Sequence, residues 1–197
     1  MKKFLTFTIF IVIFFSNISK VYSIEADVFI QSVVNRAAKT LSGDLTKEQR
    51  VEKLKDIARE TVDIDGIGRY TLGSYKNEIT DSQMKEYKVL FRQYFLKSFS
   101  SRLAEYSNPE IEVISKKKLN ENYTIVSSIL VSTDQRPEVK IDWRVSTKDS
   151  NNLLIMNLVI EGLSLARTQK EEFSSIIQSN NGDINALFTA LIEFIKE

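Results

Sequence analysis

The chain has 197 residues, 27 basic and 26 acidic side chains, and neither cysteine nor histidine. The two absences exclude disulfides, thiolate nucleophiles, Ser-His-Asp triads and ordinary zinc or haem sites, so packing alone must hold the fold. The near-neutral balance argues against a nucleic-acid partner, which needs a basic face to replace phosphate counterions.

The chain opens with Lys2 and Lys3, followed by an apolar run from Phe4 to Phe15 that gives way to Ser16, Asn17, Ser19 and Lys20. A membrane-spanning helix needs about 20 apolar residues, so the pattern is that of a secretory signal over residues 1–23, cleaved after Ser23. No cysteine follows to carry a lipoprotein anchor. Removal takes three lysines and no acid, leaving 24 basic against 26 acidic residues in the exported chain. A remainder of this size buries roughly 70% of its unfolded surface in one core. Two prolines and six glycines leave no flexible linker, so residues 24–197 are read as one domain.

From Ala26 to Leu41, the residues Val28, Phe29, Val33, Val34, Ala37, Ala38 and Leu41 recur at helical spacing, with Gly43 at the C-cap. Thr46 and Gln49 form a capping-box pattern that opens a second, charge-rich helix. Asp63 to Gly73 is a short turn-rich or helical segment. Thr80 and Gln83 open the longest pattern, with Met84, Tyr87, Phe91, Tyr94, Phe95, Phe99, Leu103 and Tyr106 on one face. After Asn108-Pro109 the period changes to that of strands. Four are expected: Ile111 to Leu119, Tyr123 to Val131, Val139 to Val145 and Leu153 to Ile160, joined by short polar turns into an antiparallel meander. The third alternates cleanly and has one wet face. The fourth is apolar almost throughout, which implies cover on both faces. Helical spacing returns over Ser164 to Asn180 and Asp183 to Lys196, giving an α+β fold with helices on one side of a curved sheet.

The aromatic stripe reads as core or, by its excess of bulk, as the wall of an open pocket. In Ile160-Glu161-Gly162-Leu163-Ser164-Leu165, glycine and an N-capping serine serve a strand-to-helix turn, and no histidine is available to activate the serine. Asp63 with Asp65, and Glu171 with Glu172, read as capping or solvated. Lys116 to Lys118 form a run that meets a lipid phosphate or an acidic partner, or simply guards a solvated strand edge.

Three blocks carry a resemblance to a known family. They are Ile67-Gly68-Arg69-Tyr70-Thr71-Leu72-Gly73 with Tyr75; Phe91, Tyr94-Phe95 and Ser101 to Tyr106; and Val159 to Leu165 with Thr168-Gln169, Glu172-Phe173 and Ser174 to Ile177. In order and spacing the sequence resembles the MlaC family of periplasmic phospholipid-binding proteins, the toluene-tolerance auxiliary components of an ABC-type lipid transport system. The resemblance implies a curved antiparallel sheet and surrounding helices enclosing an apolar cavity. It also implies a carrier that shuttles phospholipid between an outer-membrane lipoprotein complex and an inner-membrane ABC-type transporter complex, maintaining outer-membrane asymmetry, with no enzymatic activity and no cofactor. Asn157 stands where the family often has an acidic residue, which puts a charged role there in doubt.

The candidates for the lipid lining, chosen by face and strand order, are Phe91, Tyr94, Phe95, Phe99, Trp143, Met156, Leu158 and Leu163. Each buried methylene contributes about 0.8 kcal/mol, so a chain of about sixteen carbons exposed to water is disfavoured by roughly 10 kcal/mol. A soluble carrier must therefore enclose the tails, while the headgroup stays at the mouth and is weakly selected. Two rival readings are a small enzyme with a raised-pKa carboxylate in an apolar cavity, for which Asp142 is the candidate, and an adaptor that binds only protein.

Overall fold

The computed structural model describes residues 24–134 and 136–197, so the expected signal segment lies outside the described residues. The order of elements is α1 (Ala26–Ser42), α2 (Lys47–Thr61), α3 (Ile64–Thr71), a 3-10 turn (Tyr75–Asn77), α4 (Asp81–Leu103), β1 (Ile111–Asn120), β2 (Tyr123–Leu130), β3 (Val139–Ser146), β4 (Leu154–Ile160), β5 (Leu163–Ser164), α5 (Leu165–Ser179) and α6 (Ile184–Lys196). The strands form one open antiparallel sheet in the order β1-β2-β3-β4-β5. This is the expected α+β meander, with one two-residue strand, β5, beyond the four expected. Among the described residues no helix is long and apolar enough to cross a membrane.

The helices start where side chains satisfy their free amides. Thr46 with Gln49 and Thr80 with Gln83 form complete capping boxes at α2 and α4, and Asp63, Ser164 and Asp183 accept backbone N–H bonds at α3, α5 and α6. Helix α4 stops at Leu103, short of Tyr106, and the chain beyond it turns at Asn108 (φ 47°) ahead of Pro109. Tyr106 therefore leaves the aromatic face expected for it and lies exposed, with the Arg136 guanidinium over its ring. At the other end of the sheet, Glu161 (φ 49°) and Gly162 (φ 82°) form a two-residue hairpin turn. Left-handed geometry at both central positions suits the strand twist, and the Glu161 carboxylate accepts the Lys140 backbone N–H beside it.

Strand pairing defines an inner face. Across it run Thr124, Val126, Ser128 and Leu130 of β2, opposite Val145, Trp143, Ile141 and Val139 of β3. A bulge in β4 sets Ile155 opposite Val145 and Leu158 opposite Trp143 and leaves Met156 out of the ladder. Apart from buried Ile155, β4 is only half-buried along its length, less covered than its apolar sequence implies. The core joins this inner face to all six helices, and a small second cluster of Leu41, Leu54 and Ala104 ties α1 and α2 to the end of α4.

Helix α4 is seated on α3. The Tyr87 hydroxyl lies 2.8 Å from Thr71 Oγ1 and donates to the Gly68 carbonyl at 3.1 Å, both tyrosine and threonine being fully buried. Burial pushes the Tyr87 hydroxyl well above the ordinary tyrosine range. A Cβ placed at Gly68 would stand 2.6 Å from Phe91 Cδ1, closer than packing tolerates.

Helix α1 is fastened to β1 by Lys116, whose Nζ bonds to Glu25 at 2.7 Å and Asp27 at 2.9 Å. A register shift between Val113 and Ser115 brings Lys116 opposite Val126, on the same side as the helix. The hydrogen bond from Lys116 lowers the Asp27 carboxyl, and the two carboxylates raise the Lys116 ammonium, Glu25 contributing first.

Gly68→Ala is expected to destabilise the protein by about 1–2 kcal/mol, because overpacking against Phe91 outweighs the roughly 1 kcal/mol that alanine gains in a helix. A lower urea midpoint at unchanged slope would show it. The Lys116 latch makes its own prediction. A lowered carboxyl stabilises above its ordinary value of 3.8 and loses that contribution as pH falls through its folded value, whereas a raised ammonium stabilises below 10.5 and loses it as pH rises. Amide shifts of the first turn of α1 are therefore expected to hold steady inside that window and to drift outside it on both sides, with Lys116→Ala already shifted at neutral pH.

Candidate functional site

The inner face is buried along its middle, where Ser128, Leu130, Ile141 and Trp143 are covered, and less covered along its margins. Val126, Val145 and Ile155 are buried, and the chain entering α3 crosses there, Asp63 N–H donating to the Ile155 carbonyl at 3.0 Å. On the same face, Ile111, Val113, Val139, Leu158 and Ile160 are only half-buried although they pack against the core. Residues that point inward and still meet solvent mark where the helices fail to cover the sheet.

The helical side is aromatic. Phe91, 2% exposed, has the Tyr87, Tyr94, Phe95 and Phe173 rings 5.7 to 6.2 Å away, the last edge-on at 88°. Phe95 and Phe99 stack at 5.5 Å and 10° and are half-buried. Tyr94 lies 4.9 Å from Phe194 of α6 and donates its hydroxyl to Gln169 Oε1 at 2.7 Å; burial raises its pKa. Lys97 closes α6 by donating to the carbonyls of Phe194 and Ile195, where a cation meets the negative end of the helix dipole.

Polar groups on the sheet are paired. Trp143 Nε1 donates to Ser128 Oγ at 2.8 Å in the buried interior. Asp142 faces the other way and accepts from Ser127 Oγ at 2.6 Å on the outer face. The buried polar side chains among the described residues are threonines and serines, namely Thr40, Thr61, Thr71, Ser100, Thr124 and Ser128.

Two clefts open on the surface. One of about 530 Å³ lies between α3 and α5, lined by Tyr70, Arg167, Lys170, Glu171, Ser174, Ser175 and Gln178, all of them charged or polar-tipped. The other, of about 520 Å³, lies between α1 and the start of β1. Val34, Ala38, Pro109, Ile111 and Val113 form its apolar part, with Gln31, Asn35, Glu110 and Glu112 around them.

An antiparallel sheet packed against surrounding helices is the α+β frame implied by the sequence blocks described above, and a comparison over most of the chain decides the family. Residues 30–193 match the profile of the family described as MlaC protein. The chain belongs to the MlaC family. A solved structure described as the phospholipid-binding protein from Ralstonia solanacearum in complex with a phospholipid is similar in fold, with a TM-score of 0.72 and 20% identity over 88% of this chain and 98% of that one. No curated protein matches significantly.

Within this MlaC-family fold, Phe91 and Trp143 are buried, and Tyr94, Phe95, Phe99 and Leu158 are half-buried against the same core. Met156 occupies the β4 bulge. Leu163 pairs with Ile160 at the sheet edge and is 58% exposed, so the structure sets it apart from the buried group. Phe173, Phe188 and Phe194 complete the aromatic cluster; Phe173 stands in one of the resemblance blocks, but none of the three is among the lining candidates read from sequence. Helical spacing returns over their two segments, but nothing local says that they meet α4.

Asn157 has a structural role. Its Nδ2 donates to Ser164 Oγ at 2.9 Å and its Oδ1 accepts from Ala166 N–H at 3.1 Å, fastening β4 to the start of α5. An amide can both donate and accept in this way, whereas a carboxylate only accepts.

Ser128→Ala leaves the buried indole N–H of Trp143 without its partner and is expected to cost about 1–3 kcal/mol. In a Trp143→Phe background the same change should cost less, and the difference in urea midpoints across the double-mutant cycle measures the pair.

Proposed function

We propose that this chain is a non-enzymatic periplasmic phospholipid carrier that shuttles lipid between the outer-membrane lipoprotein complex and the inner-membrane ABC-type transporter complex of a system maintaining outer-membrane asymmetry. The observation that carries the proposal is the incompletely covered inner face. Ile111, Val113, Val139, Leu158 and Ile160 point toward the core and are only partly buried. An acyl chain lying against them would complete the burial that the helices leave unfinished, at about 0.8 kcal/mol per methylene.

Family membership supports the same reading, and so does the phospholipid bound by the structurally similar Ralstonia protein. The candidate lining on the helical side is Phe91, Tyr94, Phe95 and Phe99, with Trp143 and Leu158 facing from the sheet. Met156 and Leu163 belong to the periphery of such a site. The rings offer rigid apolar walls with little rotamer entropy to lose on binding. Asp142, the one carboxylate expected to serve an enzyme, is turned to the outer face, which favours a passive interior. Residues 1–23 provide the export signal that places the carrier in the periplasm, with a domain of residues 24–197 remaining.

Native mass spectrometry of protein purified without detergent is expected to show a mass increment of one diacyl phospholipid, identified after organic extraction. Leu158→Asp, which sets a charge on the inner face, should lower the retained lipid about tenfold, since an unpaired charge against apolar chains is strongly disfavoured. An apo mass unchanged after incubation with phospholipid vesicles would refute the carrier.

A further inference from the structure

From the cleft between α1 and β1 we infer that acyl chains enter and leave the protein there, a reading that rests on the carrier function proposed above. The first reason is continuity. Ile111 and Val113, which form part of the cleft, pair with Leu130 and Ser128 and share the inner face with them, so the apolar part of the cleft is the outermost strip of the inner face itself. Inward from half-buried Val113 the same face continues through buried Ser128 and Ile141 to half-buried Ile160, so a methylene chain that parts α1 from β1 meets no charged side chain along it.

The second reason is that the opening lies between two fixed points. Lys116 holds the start of α1 through Glu25 and Asp27, and Leu41 holds its end in the cluster with Leu54 and Ala104. Between them Val34 and Ala38 line the cleft. The bulge after Val113 divides β1 accordingly, so that its inner side is apolar at Ile111 and Val113 and basic at Lys116. The third reason is the polar surround. Gln31, Asn35, Glu110 and Glu112 ring the apolar part and suit a headgroup that stays hydrated while its tails are buried. The α3/α5 cleft has no aliphatic side chain in its wall, which is built from Tyr70 and polar or charged residues.

The chain contains no cysteine, so a single introduced thiol can be modified selectively after folding. Asn35→Cys stands at the α1/β1 cleft, and Ser175→Cys at the α3/α5 cleft provides the control; both positions are exposed. Each is reacted with a bulky polymer maleimide or with a small methylating thiol reagent. Uptake is then followed from vesicles of a zwitterionic diacyl phospholipid bearing a fluorescent acyl chain. The bulky adduct on Asn35→Cys is expected to slow uptake about tenfold, with the small adduct and both Ser175→Cys adducts within about twofold of the parent, as steric closure of one opening requires. Uptake at the parent rate with the bulky adduct on Asn35→Cys would overturn the portal and leave the carrier reading intact. Equal slowing by bulky adducts at both positions would also overturn it. No uptake by the unlabelled parent chain would overturn both readings together.

Discussion

The fold depends on how closely α4 approaches α3. Phe91 packs on Gly68 at a distance that leaves no room for a methyl group, and one helical turn earlier the Tyr87 hydroxyl reaches the Gly68 carbonyl and Thr71. The first contact is dispersion between tightly packed surfaces, and the second satisfies polar groups that would otherwise be costly to bury. Together they fix the height and rotation of the longest helix. Because Phe91 is placed there, its neighbours Tyr94 and Phe95 fall where Phe173, Phe194 and Phe99 can join them.

From that anchor the cover over the sheet proceeds unevenly. Near Ile155, α3 arrives directly on the sheet and the interior is sealed. Toward the margins, at Ile111, Val113, Val139, Leu158 and Ile160, the cover thins while Leu130 and Ile141 between them stay buried. An open antiparallel sheet has no closure to protect its interior, so whatever is left uncovered must be tolerated or occupied. A row of half-buried isoleucines, valines and leucine is an unfavourable surface to leave against water and a favourable one to offer to hydrocarbon. Under the function proposed above, the same absence of cover that weakens the free protein would provide the gain on binding.

Polar contacts here act at seams. Asn157 sews β4 to α5, Lys116 sews β1 to α1, and Ser128 receives the only indole N–H of the chain. Each joins elements that hydrophobic contact alone would leave free to slide. The Lys116 bridges are exposed and screened by salt, so their value lies in fixing where α1 rests more than in net stability. With no disulfide available, orientation in this fold comes from such contacts.

Much of the molecule was legible in the residues themselves. The capping boxes at Thr46 and Thr80, the breaker at Asn108-Pro109, the alternation of β3 and the glycine-serine turn after Ile160 are local signals, because the physics of a helix start or a hairpin acts over three or four residues. The blocks around Gly68, Phe91 and Gly162 likewise carried the family resemblance. Local periodicity could not say that Tyr106 would fall outside α4, that a bulge would turn Met156 out of the ladder, or that Leu163 would stand at the edge while Phe173, Phe188 and Phe194 came inside. Those outcomes depend on which surfaces meet across the fold. Sequence determined which side chains are apolar and at what period; the packing of α4 on α3, and the place where the helices stop short of the sheet, decided which of them are sealed in and which remain open to a ligand, because burial belongs to the assembled layers and not to any one segment.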